Sequence, residues 1–213
     1  MRNYLIALLL SLPCLSLADT VSVFFAGDES LTLSYRDDRH IRVDRSSGGY
    51  SVINGTRAAA VINQGGNNLV LDMDQIGAML QGINQQQVKI PAARDVRLLD
   101  TGEYRQVAGF QGKLFRVSDG RGVYQVVLSS DPQVIAASDA LRHFLRRFAS
   151  ALGNEQGARI LALDTTFRDH PYRGLLQVEG GLQLAAIREE FRPDGFYTLP
   201  ASNLNLALPG LGR

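Results

Sequence analysis

The stretch YSVINGTRAAAV, residues 50–61, constrains the fold of this chain more than any other. Asn54-Gly55 separates two apolar runs, and both residues tolerate the positive φ that a two-residue hairpin turn needs. A chain that reverses so tightly pairs antiparallel strands, and the neighbouring segments alternate with the period of two that strands show. Leu31, Leu33 and Tyr35 share one face of a segment whose Thr32 and Ser34 lie on the other. Ile41 and Val43 alternate in the same way with His40, Arg42 and Asp44. Residues 21–25 precede them, ended by Ala26-Gly27-Asp28, and a polar turn over 63–68 leads into 69–71. The region from Val21 to Leu71 is therefore expected to form a meander.

The periodicity changes at Asp72. In DMDQIGAMLQGI, Met73, Ile76, Met79 and Leu80 fall at helical spacing, and Asp72 or Asp74 is placed to cap the first turn. After a polar connection over 81–87 and the breaker Pro91, strands are expected at 96–99, 105–108, 113–117 and 123–128. SDALRHFLRRFASALG is the plainest helix: Leu141, Phe144, Leu145, Phe148 and Leu152 make one apolar stripe. Ser138 or Asp139 is its expected N-cap and Gly153 its stop. Two more strands, 175–178 and 182–187, flank the hairpin turn Glu179-Gly180-Gly181, and Leu204, Leu206 and Leu208 alternate in a tail that suits an edge strand or an arm.

The N-terminus has the layout of a secretory signal peptide. Arg2 precedes an apolar run over 4–12, Pro13 ends it, and Ser16 and Ala18 supply small residues before a cleavage site. Cleavage after Ala18 would leave one domain, 19–213, exported to the periplasm or beyond. Pro13 directly before Cys14 fits lipoprotein processing poorly, so anchoring there is not expected. Cys14 is the one cysteine, so the exported chain carries no disulfide and depends on its own core. Without Arg2 it has 21 basic and 21 acidic residues, a balance that supplies no long-range field for nucleic acid. No later stretch is long and apolar enough for a transmembrane helix.

Few segments look chemical. YRDDRHIRVD, residues 35–44, gathers three aspartates, three arginines and a histidine, but alternation alone puts His40, Arg42 and Asp44 on one wet face. Calcium at Asp37 and Asp38 would lack the spacing and glycine of an EF-hand loop. His40, His143 and His170 are the only histidines, with no HxH or HExxH, so neither a metal nor a cofactor is expected. Asp169-His170 reads as a turn, and Glu189-Glu190 as strand neighbours facing opposite ways. No G-x-S-x-G elbow or phosphate loop occurs. The expectation is a protein that is not an enzyme.

Three segments carry a resemblance: LTLSYRDDRHIRVD, NNLVLDMDQI, and VAGFQGKLFRV with the downstream VYQVVLSSDPQVIAASDALRHFL. In this order they resemble a secreted bacterial family of unknown function that is similar to the lipoprotein-carrier fold of LolA and LolB. The resemblance implies a mainly β, α+β fold: an open, curved antiparallel half-barrel with two amphipathic helices against its concave face. It brings no catalytic residue. It implies an apolar groove for a lipid, acyl chain or hydrophobic peptide, and the expected lining is Leu33, Tyr35, Ile41, Val43, Leu71, Phe144 and Phe148. A second expectation is a protein–protein module of the envelope, an assembly accessory or inhibitor, engaging an envelope partner through edge strands or the arginine-rich helix face.

Overall fold

The computed structural model describes residues 18–64, 66–76, 96–119, 122–152 and 155–201. Among them, eleven strands form one antiparallel sheet: β1 Asp19–Ala26, β2 Glu29–Asp37, β3 His40–Arg45, β4 Tyr50–Asn54, β5 Arg57–Gln64, β6 Asn67–Asp72, β7 Arg97–Val107, β8 Phe110–Ser118, β9 Val123–Ser129, β10 Gly174–Val178 and β11 Leu182–Glu190. The order across the sheet is β6-β5-β4-β3-β2-β1-β11-β10-β9-β8-β7. The chain walks outward from β1 to one edge, resumes at the opposite edge, and returns until β11 pairs with β1. The sheet stays open, with β6 and β7 as its edges. Cα atoms of β7 and β11 nevertheless come within 8 Å of each other. A flat sheet would hold strands four places apart at about 19 Å, so this end curls strongly.

The β4–β5 hairpin forms one residue later than Asn54-Gly55: Asn54 pairs with Arg57 in the ladder, so the two-residue loop is Gly55-Thr56, and of these Gly55 takes the positive φ, +63°. Gly49, at φ +75°, ends the β3–β4 turn where a Cβ would lie 2.6 Å from the Val61 carbonyl oxygen, so only glycine lets these backbones meet. Leu33 pairs with Val43 and Tyr35 with Ile41, a register that keeps both apolar runs on one face. Of the two expected segments, residues 97–99 and 105–107 belong to one strand, β7, while Ala108, at φ +51°, lies in the turn to β8. The two parts of β7 join through an irregularity between Asp100 and Tyr104. There Thr101 donates its hydroxyl to the Leu114 carbonyl at 2.8 Å, replacing a ladder bond.

Between β9 and β10 the chain forms two helices, α1 Pro132–Leu152 and α2 Glu155–Arg168. α1 begins six residues earlier than its apolar stripe suggests. Its cap is Asp131, whose Oδ1 accepts the N–H groups of Gln133 (2.9 Å) and Val134 (3.3 Å), with Pro132 at the first helical position. Ser138 and Asp139 therefore lie inside the helix. Ser138 Oγ accepts the Leu175 N–H at 2.6 Å, and Asp139 pairs with Arg142. α2 had no counterpart in the sequence reading, because its apolar residues at 160–163 run consecutively around the helix. A helical turn at 73–76 follows β6, and Asp72 caps it by accepting the Asp74 N–H at 3.0 Å. The remainder of that expected helix, Cys14 with the leader, and Leu204, Leu206 and Leu208 lie outside the described residues. A 3-10 turn, Asp194–Tyr197, closes the described chain.

Two apolar clusters hold these layers. The larger joins Phe24, Leu33, Ile41, Ile53, Leu176 and Leu184 from the sheet to Val134, Leu141 and Phe144 of α1. The smaller joins Phe115, Val117, Val126 and Leu128 to Leu163 and Phe167 of α2. Leu114 and Val127 pair with each other and belong to the larger cluster, so alternate residues of β8 and β9 serve different clusters. This part of the sheet is covered on both faces.

Candidate functional site

The start of α1 lies tightly on β10. A Cβ on Gly174 would sit 2.9 Å from both the Ser129 carbonyl oxygen and Val134 Cγ1, so glycine permits the approach. Arg142 adds a second tie, donating from Nη1 to the Arg173 carbonyl at 2.7 Å. α2 in turn presses on α1 through Gly157, where a Cβ would lie 2.5 Å from the Ala149 carbonyl oxygen. The backbone of α2 packs chiefly on α1. Its side chains must reach across, and the gap is not filled.

What remains is a cavity of about 510 Å³. Leu163 and Phe167 of α2, Leu141 and Leu145 of α1, and Val126 and Leu175 of the sheet are among its lining residues. The Glu179-Gly180-Gly181 turn closes one side, tied to β9 because Glu179 Oε2 accepts the Gln125 N–H at 3.1 Å. Leu145 is 36% exposed, so the stripe of α1 is split: Leu141 and Phe144 enter the core, while Leu145 reaches the rim. The volume and the apolar walls are those of a small-molecule site.

Beside it lies a polar cleft of about 550 Å³, lined by Arg146, His143 and Asp139 of α1, Arg168 of α2, and Asp38 and Asp169 from turns. Three residues, Arg142, Asp164 and Arg173, line both spaces and form the threshold between them. Asp164 is 6% exposed, and it accepts from Arg168 Nη2 at 2.6 Å while Arg142 and Arg146 stand 3.8 Å away. Burial pushes the Arg142 guanidinium below its usual pKa, against the opposing pull of Asp139 and Asp164.

The seven residues expected to line a groove come together at the larger apolar cluster. Leu33, Ile41, Val43 and Phe144 are buried in the larger cluster, and Tyr35, Leu71 and Phe148 pack against it. Phe144 and Phe148 touch ring to ring, centroids 4.3 Å apart. None of the seven lines the cavity or the cleft. Sequence alternation finds which residues turn inward; it carries no measure of how much space they leave.

The charged hairpin is a structural face. Asp37 Oδ1 accepts the Arg39 N–H at 2.8 Å and meets His40 Nδ1 at 2.9 Å, while Arg42 clasps Asp44. Arg42 lies over Tyr50 at 3.6 Å and over Phe196 at 4.4 Å. Asp19, fully buried, accepts from Arg36 Nε and from the Tyr197 hydroxyl, each at 2.8 Å. Arg36 Nη1 also donates to Asp194 at 2.5 Å, so the 3-10 turn is strapped over the outer side of β1–β4. Burial, and then the bond to Asp19, pushes the Tyr197 phenol well above its usual pKa. The sequence signal for this strap was the register itself: Thr20 opposes Tyr35, which puts Asp19 beside Arg36.

The other candidates have local structural roles. His170 Nδ1 accepts the Tyr172 N–H at 3.1 Å, and its ring stands edge-on to Phe115. His143 Nδ1 is 3.8 Å from Asp38. Glu190 pairs with Arg188 and Arg192. Among the described residues no group of three or more His, Cys, Asp or Glu could hold a metal, and no helix is long and apolar enough to cross a membrane. No family model, curated protein or solved structure matches the chain.

Proposed function

We propose that this chain is a non-enzymatic binding or carrier-like protein, exported to the periplasm after loss of residues 1–18, that holds an acyl chain or similar hydrophobic segment. The single observation behind the reading is the 510 Å³ apolar cavity between α1, α2 and the β9–β10 face. Its leucine and valine walls stand open to water, and a ligand that covers them gains roughly 25 cal/mol for each Å² of apolar surface buried. In this reading the curled sheet is the open half-barrel of a LolA-like carrier, and the helix pair is the element that parts to admit the chain.

The test is organic extraction of the protein purified from periplasm, with lipid mass spectrometry, and titration of the delipidated protein with a fluorescent fatty acid. A co-purifying acyl lipid, and saturable binding lost in Leu163→Trp with its circular dichroism unchanged, are expected. A protein that carries nothing and binds no probe would overturn the reading.

A second reading, a protein–protein module, has one observation in its favour: edge strand β7 presents Leu99 and Tyr104 to solvent. The irregularity between Asp100 and Tyr104 interrupts that edge, however, which disfavours strand addition along its length. A stoichiometric periplasmic partner lost on charge reversal of Arg146 and Arg147 would favour it over lipid binding.

A further inference from the structure

The cavity and the cleft differ in chemistry and meet at Arg142, Asp164 and Arg173. A molecule spanning both must be apolar at one end and polar at the other. We propose that the ligand is a single-chain amphiphile with an acceptor-rich anionic head, a carboxylate or phosphate, seated chain-down in the cavity with its head on Arg173. This rests on the binding reading above and adds to it the class of ligand and the residue that reads the head.

Donors outnumber free acceptors at the threshold, which favours an anion. Of the three shared residues, two are guanidiniums, each with five N–H donors and no acceptor. The one acceptor, Asp164, is nearly buried and already receives a hydrogen bond from Arg168 at 2.6 Å. Arg142 is committed as well: it donates to the Arg173 carbonyl and to Asp139. Arg173 is held differently. Its Nε stands 3.6 Å from Asp139 Oδ2, close enough to offset charge but too far for a hydrogen bond. It is about one-third exposed, so it can turn toward the cleft without losing a bond. An ammonium head at the same place would meet two cations, with Asp164 bonded to Arg168 and Asp139 already offsetting Arg142 and Arg173.

The remaining cleft residues set the strength of the attraction. Arg146, Arg168 and His143 face Asp38, Asp139 and Asp169, so positive and negative groups nearly balance. Recognition is then local, through charge-assisted hydrogen bonds at the threshold, and depends only weakly on salt. A single chain follows from the size of the cavity, which is at the lower middle of the range for small-molecule sites.

The experiment is calorimetric titration of the delipidated protein with four twelve-carbon probes below their aggregation concentrations: dodecanoate, dodecyl phosphate, methyl dodecanoate and dodecyltrimethylammonium. Dodecanoate or dodecyl phosphate should bind at least tenfold tighter than the ester and the cation. Arg173→Gln should abolish that preference, bringing acid and ester to comparable affinity, and Arg173→Lys should retain most of it. Equal affinity for acid and ester, preference for the cation, or a preference that survives Arg173→Gln would each overturn the assignment and leave the cavity reading standing. Failure of all four probes to bind would overturn both. The comparison among probes uses the unaltered protein, so it decides the question even if Arg173→Gln folds poorly.

Discussion

Replacing Gly157 with alanine sets two effects of opposite sign against each other. In a solvent-exposed helix the change stabilises by about 1 kcal/mol, because alanine is the better helix former. In this protein the added Cβ would lie 2.5 Å from the Ala149 carbonyl oxygen and 3.3 Å from its carbon. Carbon and oxygen rest at about 3.3–3.6 Å, so α2 must retreat by roughly 1 Å from α1. The neighbour is helix backbone and cannot rotate away, and overpacking of this kind costs about 1–3 kcal/mol. The net expectation is a loss of about 1 kcal/mol. With a urea m-value near 2 kcal/mol/M, the midpoint falls by about 0.5 M at unchanged slope. Urea unfolding followed by circular dichroism reads this directly. A midpoint that rises by a similar amount would refute the claim that the two helices touch at Gly157, and with it the geometry that leaves the cavity open.

Three further outcomes follow from named contacts. Asp131→Ala removes the acceptor for two N–H groups at the start of α1 and should cost about 1 kcal/mol by the same urea assay; Asp139→Ala should not show a capping loss. Tyr197 has a raised pKa in the folded state, so its contribution is complete below the phenol's unfolded value near 10 and is lost as pH rises from there through the folded value. Thermal melts between pH 9 and 11.5 should therefore show a steeper alkaline decline for the natural protein than for Tyr197→Phe. Asp164→Asn leaves Arg142, Arg146 and Arg168 without their shared carboxylate and should destabilise by about 1–3 kcal/mol, less than a fully buried pair because these arginines are partly solvated; an unchanged urea midpoint would contradict that role.

Much of the sheet was legible because hairpin chemistry and alternation are local. The β4–β5 reversal beside Asn54-Gly55, the shared face of Leu33, Tyr35, Ile41 and Val43, and the Glu179-Gly180-Gly181 turn all follow from residues a few positions apart. The pairing of β1 with β11, by contrast, joins residues far apart in sequence, and no short pattern encodes it. α1 was visible through its stripe, yet its true start at Asp131-Pro132 was obscured because Val134, Ile135, Ala136 and Ala137 are apolar without a polar alternate face. α2 escaped because its contacts, Gly157 against Ala149 and Leu163 with Phe167 against the smaller cluster, are tertiary. The site was legible only in part. Leu33, Ile41, Val43 and Phe144 turn inward into the larger cluster, and Tyr35, Leu71 and Phe148 pack partly buried against it. The open space lies beneath a helix whose sequence carries little amphipathic signal, and its threshold depends on Arg142, Asp164 and Arg173 meeting from three different elements.

Methyl-detected NMR of the leucine and valine side chains during titration with dodecanoate reports where the acyl chain sits. Shifts should concentrate at Val126, Leu141, Leu145, Leu163, Leu175 and Val178, with Leu33 and Val43 nearly still. Shifts centred on Leu33, Val43 and Leu71, or no shifts at saturating probe, would contradict binding in the cavity.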